Sequence, residues 1–201
     1  MQRNRLMTCV SNGLCLAVLA TSAAAGPLRF ERLCGPPGMH LGMPVNDWKA
    51  LVFSSGAGPG VVQPVCSDDP AAARFLGVKT ASAPGDPLVC GYAERIGSFF
   101  QDDTIKILGA YSAQSLRYHF RSDRLTQVDC KVSDTAFDAL HARFDTLYGR
   151  SKHLVRDQVS TPIGWRPRVT ESWSIPGGAL TLTDPAEPPT DLLLDFRSSA
   201  N

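Results

Sequence analysis

Two neighbouring stretches of the chain alternate apolar and polar residues, and this alternation constrains the fold more strongly than any other feature. The stretches are Ser115–Arg121 and Leu125–Val132, and a period of two predicts strands that bury one face. A three-residue loop, Ser122–Arg124, would set Tyr118 opposite Val128 and keep both apolar sets together, whereas a two-residue loop would not. The sequence therefore predicts a β-hairpin with one face in the core.

The same register makes two further predictions about this hairpin. Arg117 faces Asp129 on the polar side, where opposite charges on neighbouring strands form a cross-strand ion pair. Cys130 points into the core, which is the position expected of a cysteine in a structural disulfide. We therefore expect this hairpin to separate a charged face from the apolar core.

Two segments show helical periodicity. At about 134–148 the apolar side chains share one helical face, and Gly149 follows as a left-handed terminator. A shorter helix at about 44–53 begins with Pro44, whose missing N–H costs nothing in a first turn. We therefore expect one long and one short helix.

Further strand patterns cluster around the longer helix rather than alternating with helices. Such clustering predicts an α+β fold, in which an antiparallel sheet is packed by one long and one short helix and is stapled by disulfides. We expect the segment 26–201 to form a single exported domain, with a loop-rich part, 26–87, and a sheet-plus-helix part, 88–201. The additional strands are expected at Leu88–Ile96, Ile105–Ala110, Arg168–Ile175, Ala179–Asp184 and Leu192–Arg197.

The first 25 residues carry the pattern of a secretory signal peptide. Arg3 and Arg5 form a positively charged start, and Leu14–Ala20 is a short apolar stretch. Ala23 and Ala25 supply the small residues that precede cleavage. No apolar run reaches the roughly 18–20 residues of a transmembrane helix. The sequence predicts cleavage near Ala25 and a periplasmic or secreted bacterial protein.

Four of the six cysteines lie beyond this signal peptide. Their spacings lack the close cysteine or histidine pairs of a zinc site. In an exported chain an even number of cysteines predicts a disulfide framework, although three pairings of four cysteines remain open. We expect two disulfides among Cys34, Cys66, Cys90 and Cys130.

The sequence contains none of the common catalytic or nucleotide-binding motifs. It lacks the nucleophile elbow, the HExxH pair, the P-loop and the GxGxxG turn. The aspartate pairs 68–69 and 102–103 lack the alternating spacing of a calcium loop, so we interpret them as loop-capping residues. We expect no catalytic, cofactor or metal site. A formal charge of +1 also argues against a nucleic-acid-binding protein.

Two features are candidates for a binding surface. Arg117, His119 and Arg121 form a basic strip on the polar side of the predicted hairpin, which suits an acidic group of a partner. Trp165 lies in a segment interpreted as a loop, where an exposed tryptophan favours contact with a partner. The alternative is a solvated strand face and a tryptophan with no binding role.

Two short patches carry a family resemblance. Gly38–Pro44 reads GMHLGMP before the short helix, and Tyr118–Leu125 reads YHFRSDRL. In these patches the chain resembles small exported bacterial modules, of the type of the outer-membrane assembly lipoprotein SmpA and the secreted β-lactamase inhibitor proteins. The resemblance implies two helices with an antiparallel sheet and a non-catalytic, protein-binding role. It transfers no functional residue.

These observations favour an exported, non-catalytic binding module of the bacterial cell envelope that contacts or inhibits another protein. This prediction is based on two features. The sequence shows no recognisable group of catalytic residues, and disulfides are expected to stabilise the fold. One alternative is a small periplasmic hydrolase with an unrecognised site, using His40 or His153. The other is a structural envelope protein.

Overall fold

The computed structural model describes residues 34–51, 62–102, 105–107, 111–161, 164–175, 177–187 and 191–199. The predicted signal peptide, with its cleavage site near Ala25, lies outside these residues. The ends of two predicted elements also lie outside them: residues 52–53 of the short helix and residues 108–110 of the strand that begins at Ile105.

An antiparallel sheet of ten strands dominates the described part of the chain. The strands are β1 (Val62–Cys66), β2 (Leu88–Ile96), β3 (Phe99–Asp102), β4 (Ile105–Ile107), β5 (Tyr111–Arg121), β6 (Arg124–Ser133), β7 (His153–Thr161), β8 (Gly164–Ile175), β9 (Gly178–Glu187) and β10 (Asp191–Ser198). Eight of them lie in the order β1-β2-β5-β6-β10-β9-β8-β7, while β3 pairs with β2 and β4 pairs with β5.

Helical structure in the described residues is limited to short segments. They are α1 (Val45–Lys49), α2 (Pro70–Leu76), a 3₁₀ turn (Asp134–Ala136) and α3 (Phe137–Tyr148). The carboxylate of Asp69 accepts the backbone N–H of Ala71 at 2.7 Å and caps α2. Asp68 forms an ion pair with Lys49, with 3.4 Å between the charged atoms. Asp69 therefore has the capping role predicted for the first aspartate pair, whereas Asp68 forms an ion pair instead.

The predicted α+β fold, with long-helix packing, is wrong because the described chain is mostly antiparallel sheet. The predicted helix at about 134–148 opens with the 3₁₀ turn, so α3 has 12 residues, and α1 has only 5. Strand β1 lies in the part predicted to be loop-rich, and strand β7 lies in a segment for which no strand is predicted. Both lie at the edges of the sheet. Pairing with a neighbouring strand, rather than a clear local pattern, determines the structure of such segments.

The strand order divides the sheet into two halves that meet in the middle. In the first half, β1, β2, β5 and β6 run in chain order from one edge to the centre. In the second half, β7, β8, β9 and β10 run from the opposite edge to the centre, where β10 pairs with β6. Residues from β6 and β10 are therefore neighbours in space although they are far apart in the sequence.

The main core lies on one face of the sheet. Trp48 of α1 is fully buried, and its ring centroid lies 4.8 Å from Tyr92, 4.9 Å from Tyr118 and 5.6 Å from Phe120. On the second half, Phe144 of α3 packs against Trp173 at 5.4 Å. The residues 34–44, which we call the arm, contribute Cys34, Met39 and Met43 to the same core. Burial of these aromatic and apolar side chains is the main stabilising contribution to the fold.

Helix α2 packs on the opposite face of the sheet, against β1 and β2. It forms a small second cluster in which Ala72 contacts Val65 and Ala93. Gly91 of β2 permits this close approach, because a Cβ at that position would lie 3.0 Å from Leu76 Cδ2 and 3.3 Å from a backbone oxygen. Helix α2 therefore covers this second face of the sheet at β1 and β2, whereas the rest of the face is polar.

The β5–β6 hairpin has the predicted register but a different loop. Tyr118 pairs with Val128 as predicted. The turn itself has two residues, Ser122 and Asp123, with φ of 46° and 63°, which is the conformation that suits a tight hairpin. The ladder then shifts at Thr126, an extra residue on β6. This bulge, rather than a third loop residue, keeps the apolar side chains on one face.

One of the two predicted disulfides is present. Cys66 and Cys90 lie directly opposite each other on β1 and β2 and are joined by a disulfide, with 4.0 Å between their Cα atoms. Cys34 and Cys130 are buried free thiols. The bonded pair ties the edge strand β1, which follows a segment without described structure, to the sheet.

Candidate functional site

The face of the sheet opposite the main core carries a charged cluster. Six residues at the centre of this cluster lie there by strand alternation, and the register sets them in two rows across β5, β6 and β10. One row is Arg117, Asp129 and Asp195, and the other is His119, Gln127 and Arg197. We call this surface the polar face. Its centre is the junction between the two halves of the sheet.

Asp129 is held by two hydrogen-bonding neighbours. His119 Nε2 lies 2.7 Å from its Oδ2, and the amide of Gln127 donates to its Oδ1 at 2.8 Å. Burial alone would raise the pKa of Asp129, but these hydrogen bonds and the charges of His119 and Arg197 outweigh burial and lower it. Asp129 therefore stays ionised at pH values at which an ordinary aspartate would already begin to take up a proton.

Asp195, its neighbour across the strand pair, behaves in the opposite way. It is only 8% exposed, and its Oδ2 accepts from Arg197 Nε at 2.7 Å. Its Oδ1 is buried without a hydrogen-bond partner among the described residues. Burial raises the pKa of Asp195, the charge of Asp129 raises it further, and Arg197 only partly compensates. The two central carboxyl groups thus differ in their preference for the proton.

The pKa of Asp129 leads to a stability prediction for Asp129→Asn. Because the pKa is lower in the folded than in the unfolded chain, ionised Asp129 stabilises the fold above its unfolded-state pKa. That contribution is lost as the pH falls through its folded-state pKa. We expect the variant to lose about 1.5–3 kcal/mol at neutral pH, the range for hydrogen bonds to a charged group, and to match the parent in acid. Urea unfolding across the acid range measures this, and a loss that is equal at every pH would contradict it.

A cleft rich in arginine lies at the end of the polar face, beside the β5–β6 turn. One cavity of about 450 Å³ is lined by Arg121, Arg124 and the backbone region of Gly42, among others. A second cavity of about 250 Å³ is lined by His119 and Arg197. The two cavities share Arg121, Thr126 and Ser198. We call them together the cationic cleft.

Two charges of this cleft are not neutralised within the described part of the chain. Arg121 is exposed and has no carboxylate partner there. Arg124 Nη1 donates to the backbone oxygen of Gly42 at 3.1 Å, and it too has no carboxylate partner among the described residues. In contrast, Arg197 is paired with Asp195. The cleft is therefore lined by two exposed arginines that have no carboxylate partner in the described part of the chain.

The structure brings together three of the four residues predicted to bind a partner. Arg117, His119 and Arg121 lie on the polar side of β5, as alternation predicts. Arg117 lies opposite Asp129, but its guanidinium lies 5.7 Å from the Phe75 ring of α2 and donates to the Leu116 backbone oxygen. Arg117 thus packs against α2 at one side of the polar face.

Trp165 lies apart from these three residues. It is 70% exposed and belongs to β8, which is separated from β5 by β6, β10 and β9. Trp165 pairs with Ser160, and the pairing of β7 with β8 continues from there without a register shift. Because side chains alternate along a strand and Trp173 is an even number of positions away, both tryptophans lie on the same side of the sheet. The predicted loop around Trp165 is therefore a strand, and the tryptophan is not part of the cationic cleft.

The other histidines lie away from the polar face. His40 Nδ1 is 3.2 Å from the Gly38 oxygen in the arm, and His153 begins the edge strand β7. His141 Nε2 lies 3.0 Å from a Glu171 carboxylate oxygen, which links α3 to β8. None of these three adjoins the cationic cleft.

Sequence reasoning missed Asp195 and Arg197. They alternate with apolar residues in the segment Leu192–Arg197, which the sequence does predict as a strand. The missing information was that β10 pairs with β6, a contact between the two halves that no local pattern reveals. Once the neighbouring strand is known, the polar residues of a predicted strand can be recognised as candidates for the site.

Comparisons with known proteins identify no family for this chain, so a functional proposal is based on the geometry of the described residues. The family models gave no match, and neither the curated proteins nor the solved structures gave a significant one. The resemblance to the SmpA and β-lactamase inhibitor modules stays a prediction. Among the described residues, no helix is long and apolar enough to cross a membrane, and no group of three metal-ligating side chains occurs.

Proposed function

We propose that this chain is an exported, non-catalytic binding module of the bacterial cell envelope, which contacts or inhibits another protein through the polar face and the cationic cleft. The observation that carries this proposal is the pair Arg121 and Arg124 at the cleft, without carboxylate partners in the described chain. The expected partner presents a carboxylate-rich segment to these two side chains.

The positions of the two arginines support recognition of an acidic group. Both flank the two-residue turn of the β5–β6 hairpin and are paired with each other across it, so their backbones are held by the β5–β6 ladder. Guanidinium groups bind carboxylates through paired, charge-assisted hydrogen bonds. Thr126 and Ser198 add hydroxyl groups to the lining of the same cleft. A rigid frame reduces the ordering cost of binding.

The surroundings of His119 favour binding over nucleophilic catalysis. The described ring contact of His119 is with the Asp129 carboxylate. The adjacent hydroxyl, that of Thr126, donates to the backbone oxygen of His119 at 3.1 Å rather than to its ring. A hydrolase with a serine, threonine or cysteine nucleophile would need that hydroxyl or thiol directed at the imidazole. The His119–Asp129 pair instead fixes charge at the centre of the polar face.

The disulfide between Cys66 and Cys90 supports export. Disulfides form and persist in oxidising compartments such as the periplasm and are rare in the cytosol. This agrees with the signal-peptide pattern that ends near Ala25.

A labelled six-residue glutamate peptide tests this function directly. We expect saturable binding to the mature protein by fluorescence anisotropy, weakening as salt screens the charges. The double substitution Arg121→Glu/Arg124→Glu should weaken binding by about tenfold or more, since one lost ion pair of about 1.4 kcal/mol already gives a factor of ten.

The matched control is Arg143→Glu/Arg150→Glu, which makes the same charge change at exposed positions of α3 and just beyond it. This control should bind like the parent. Equal binding by both double variants would contradict the proposal. So would tighter binding to a single-stranded oligonucleotide than to the peptide, because it would indicate a nucleic-acid site.

A further inference from the structure

Two cysteines that are distant in the sequence lie together in the core. Cys34 belongs to the arm, and Cys130 lies on β6 with its side chain on the core face. Both are fully buried in the same core cluster, and the Cys130 side chain lies close enough to raise the pKa of the Cys34 thiol. The pair is therefore within the reach of a sulfur–sulfur contact.

The backbone around the pair is fixed from both sides. The Tyr118 hydroxyl donates to the backbone oxygen of Cys34 at 3.0 Å. Tyr118 and Leu116 lie on the same core face of β5, and Leu116 is paired directly with Cys130. The strand that carries Cys130 is thus paired with Leu116, and the arm that carries Cys34 is bonded to Tyr118, two residues further along the same face of β5.

We propose that Cys34 and Cys130 are joined by a disulfide in the exported protein, which fixes the arm to the central sheet. Of the three pairings open from the sequence, the bond between Cys66 and Cys90 leaves only this partner for each remaining cysteine. The oxidant is a disulfide of the exported compartment, either a protein or a small molecule.

The reaction is a two-step thiol–disulfide exchange. The thiolate of one cysteine attacks the oxidant's disulfide, which forms a mixed disulfide and releases one oxidant thiolate. The thiolate of the other cysteine then attacks the mixed disulfide, forms the Cys34–Cys130 bond and releases the second oxidant thiolate. The protein loses two protons and two electrons, and the oxidant is reduced to a dithiol or two thiols.

The burial of the two cysteines determines at which stage of folding this reaction occurs. Burial in the core raises the pKa of the Cys34 thiol, and the neighbouring Cys130 raises it further. The reactive thiolate is therefore disfavoured once the arm is in place, so the bond forms during folding, before the arm closes over Cys130. After closure the same burial protects the bond from reductants.

The bond would also secure one wall of the cationic cleft. Gly42 of the arm lines the cleft, and its backbone N–H donates to the Leu125 oxygen at 2.7 Å. The N–H of Leu125 donates in turn to the Met43 oxygen at 2.9 Å. Anchoring Cys34 therefore holds the segment that pairs with the β5–β6 turn.

Mass mapping of the exported protein tests this inference. The protein is denatured without reductant, in the presence of N-ethylmaleimide, and its intact mass and peptides are measured. We expect no maleimide on any of the four mature cysteines and a peptide that links Cys34 to Cys130. Two maleimides, on Cys34 and Cys130, would overturn the proposal, and so would a link from either one to Cys66 or Cys90.

A stability measurement provides a second, independent readout. The variant Cys66→Ala/Cys90→Ala retains only the proposed bond, and we expect dithiothreitol, added while the variant is unfolded in urea, to lower the urea midpoint of its refolding. The variant Cys34→Ala/Cys130→Ala reports the same effect for the bond between Cys66 and Cys90 as a positive control. An unchanged midpoint in the first variant would overturn the proposal. If that variant does not fold, the mass mapping of the parent protein decides.

Discussion

Replacing Trp48 by alanine is expected to lower the free energy of unfolding by about 3–5 kcal/mol, the range for a large aromatic side chain removed from a core. The side chain is fully buried, and its ring contacts Tyr92, Tyr118 and Phe120 at centroid distances of 4.8, 4.9 and 5.6 Å. Helix α1 has only five residues, so Trp48 is its main attachment to the sheet. Total stabilities of about 5–15 kcal/mol make such a loss severe.

Two controls separate this packing effect from other roles of the indole. Trp48→Phe keeps an aromatic ring and removes an indole N–H that is buried without a hydrogen-bond partner among the described residues, so its cost should be far smaller. Trp165→Ala removes a tryptophan that is 70% exposed and should stay within about 0.5 kcal/mol of the parent. Urea unfolding followed by circular dichroism measures all three. A Trp48→Ala variant as stable as Trp165→Ala would contradict the described core.

Gly178→Ala is expected to destabilise the protein by about 3 kcal/mol, at the upper end of the range for overpacking. A Cβ at Gly178 would overlap the backbone oxygen of Arg197 and lie 2.9 Å from its carbonyl carbon. Both contacts are with backbone atoms, so strand β10 itself must move. Because Arg197 and Ser198 line the cationic cleft, the substitution should also weaken binding of the glutamate peptide.

The adjacent glycine offers a matched control for this clash. Gly177 has φ of 79°, and a Cβ there would meet nothing within 4 Å. Gly177→Ala therefore incurs only the strain of a left-handed alanine, about 1–2 kcal/mol, and should leave peptide binding unchanged. Equal effects of the two substitutions on stability and binding would show that β9 and β10 do not approach as described.

The hairpin shows what alternation can and cannot predict. The apolar residues of β5 and β6 must share a face, and this requirement gives the pairing of Tyr118 with Val128. Polarity alone does not distinguish a third loop residue from a bulge, since both shift the register by one position. The structure uses a two-residue turn and a bulge at Thr126.

The fold class was mispredicted because the edges of the sheet carry weak local patterns. In β7, Leu154 and Val155 are adjacent and exposed, so the segment does not alternate as a half-buried strand would. Strand β1 lies in the part predicted to be loop-rich and contains Pro64, which an edge position tolerates. With no strand predicted in these segments, the helices appeared to be a larger part of the fold than they are.

The candidate site was only partly predictable for a related reason. Arg117, His119 and Arg121 share one strand, so their common face follows from the sequence. Asp195 and Arg197 join them only through the pairing of β10 with β6. The cleft beside Arg124 similarly depends on the arm, because Gly42 pairs with Leu125 across a long stretch of chain. Contacts of this kind are properties of the assembled fold.

Photo-cross-linking in intact cells tests the central claim, that the cationic cleft contacts another protein, most directly. A benzophenone amino acid is placed at Ser122, which lines the cleft, or at Ala142, which is exposed on α3. We expect one discrete protein adduct from position 122, its loss in the Arg121→Glu/Arg124→Glu background, and no adduct from position 142. An adduct that survives the charge reversal, or one that forms only at position 142, would contradict a binding function for this cleft.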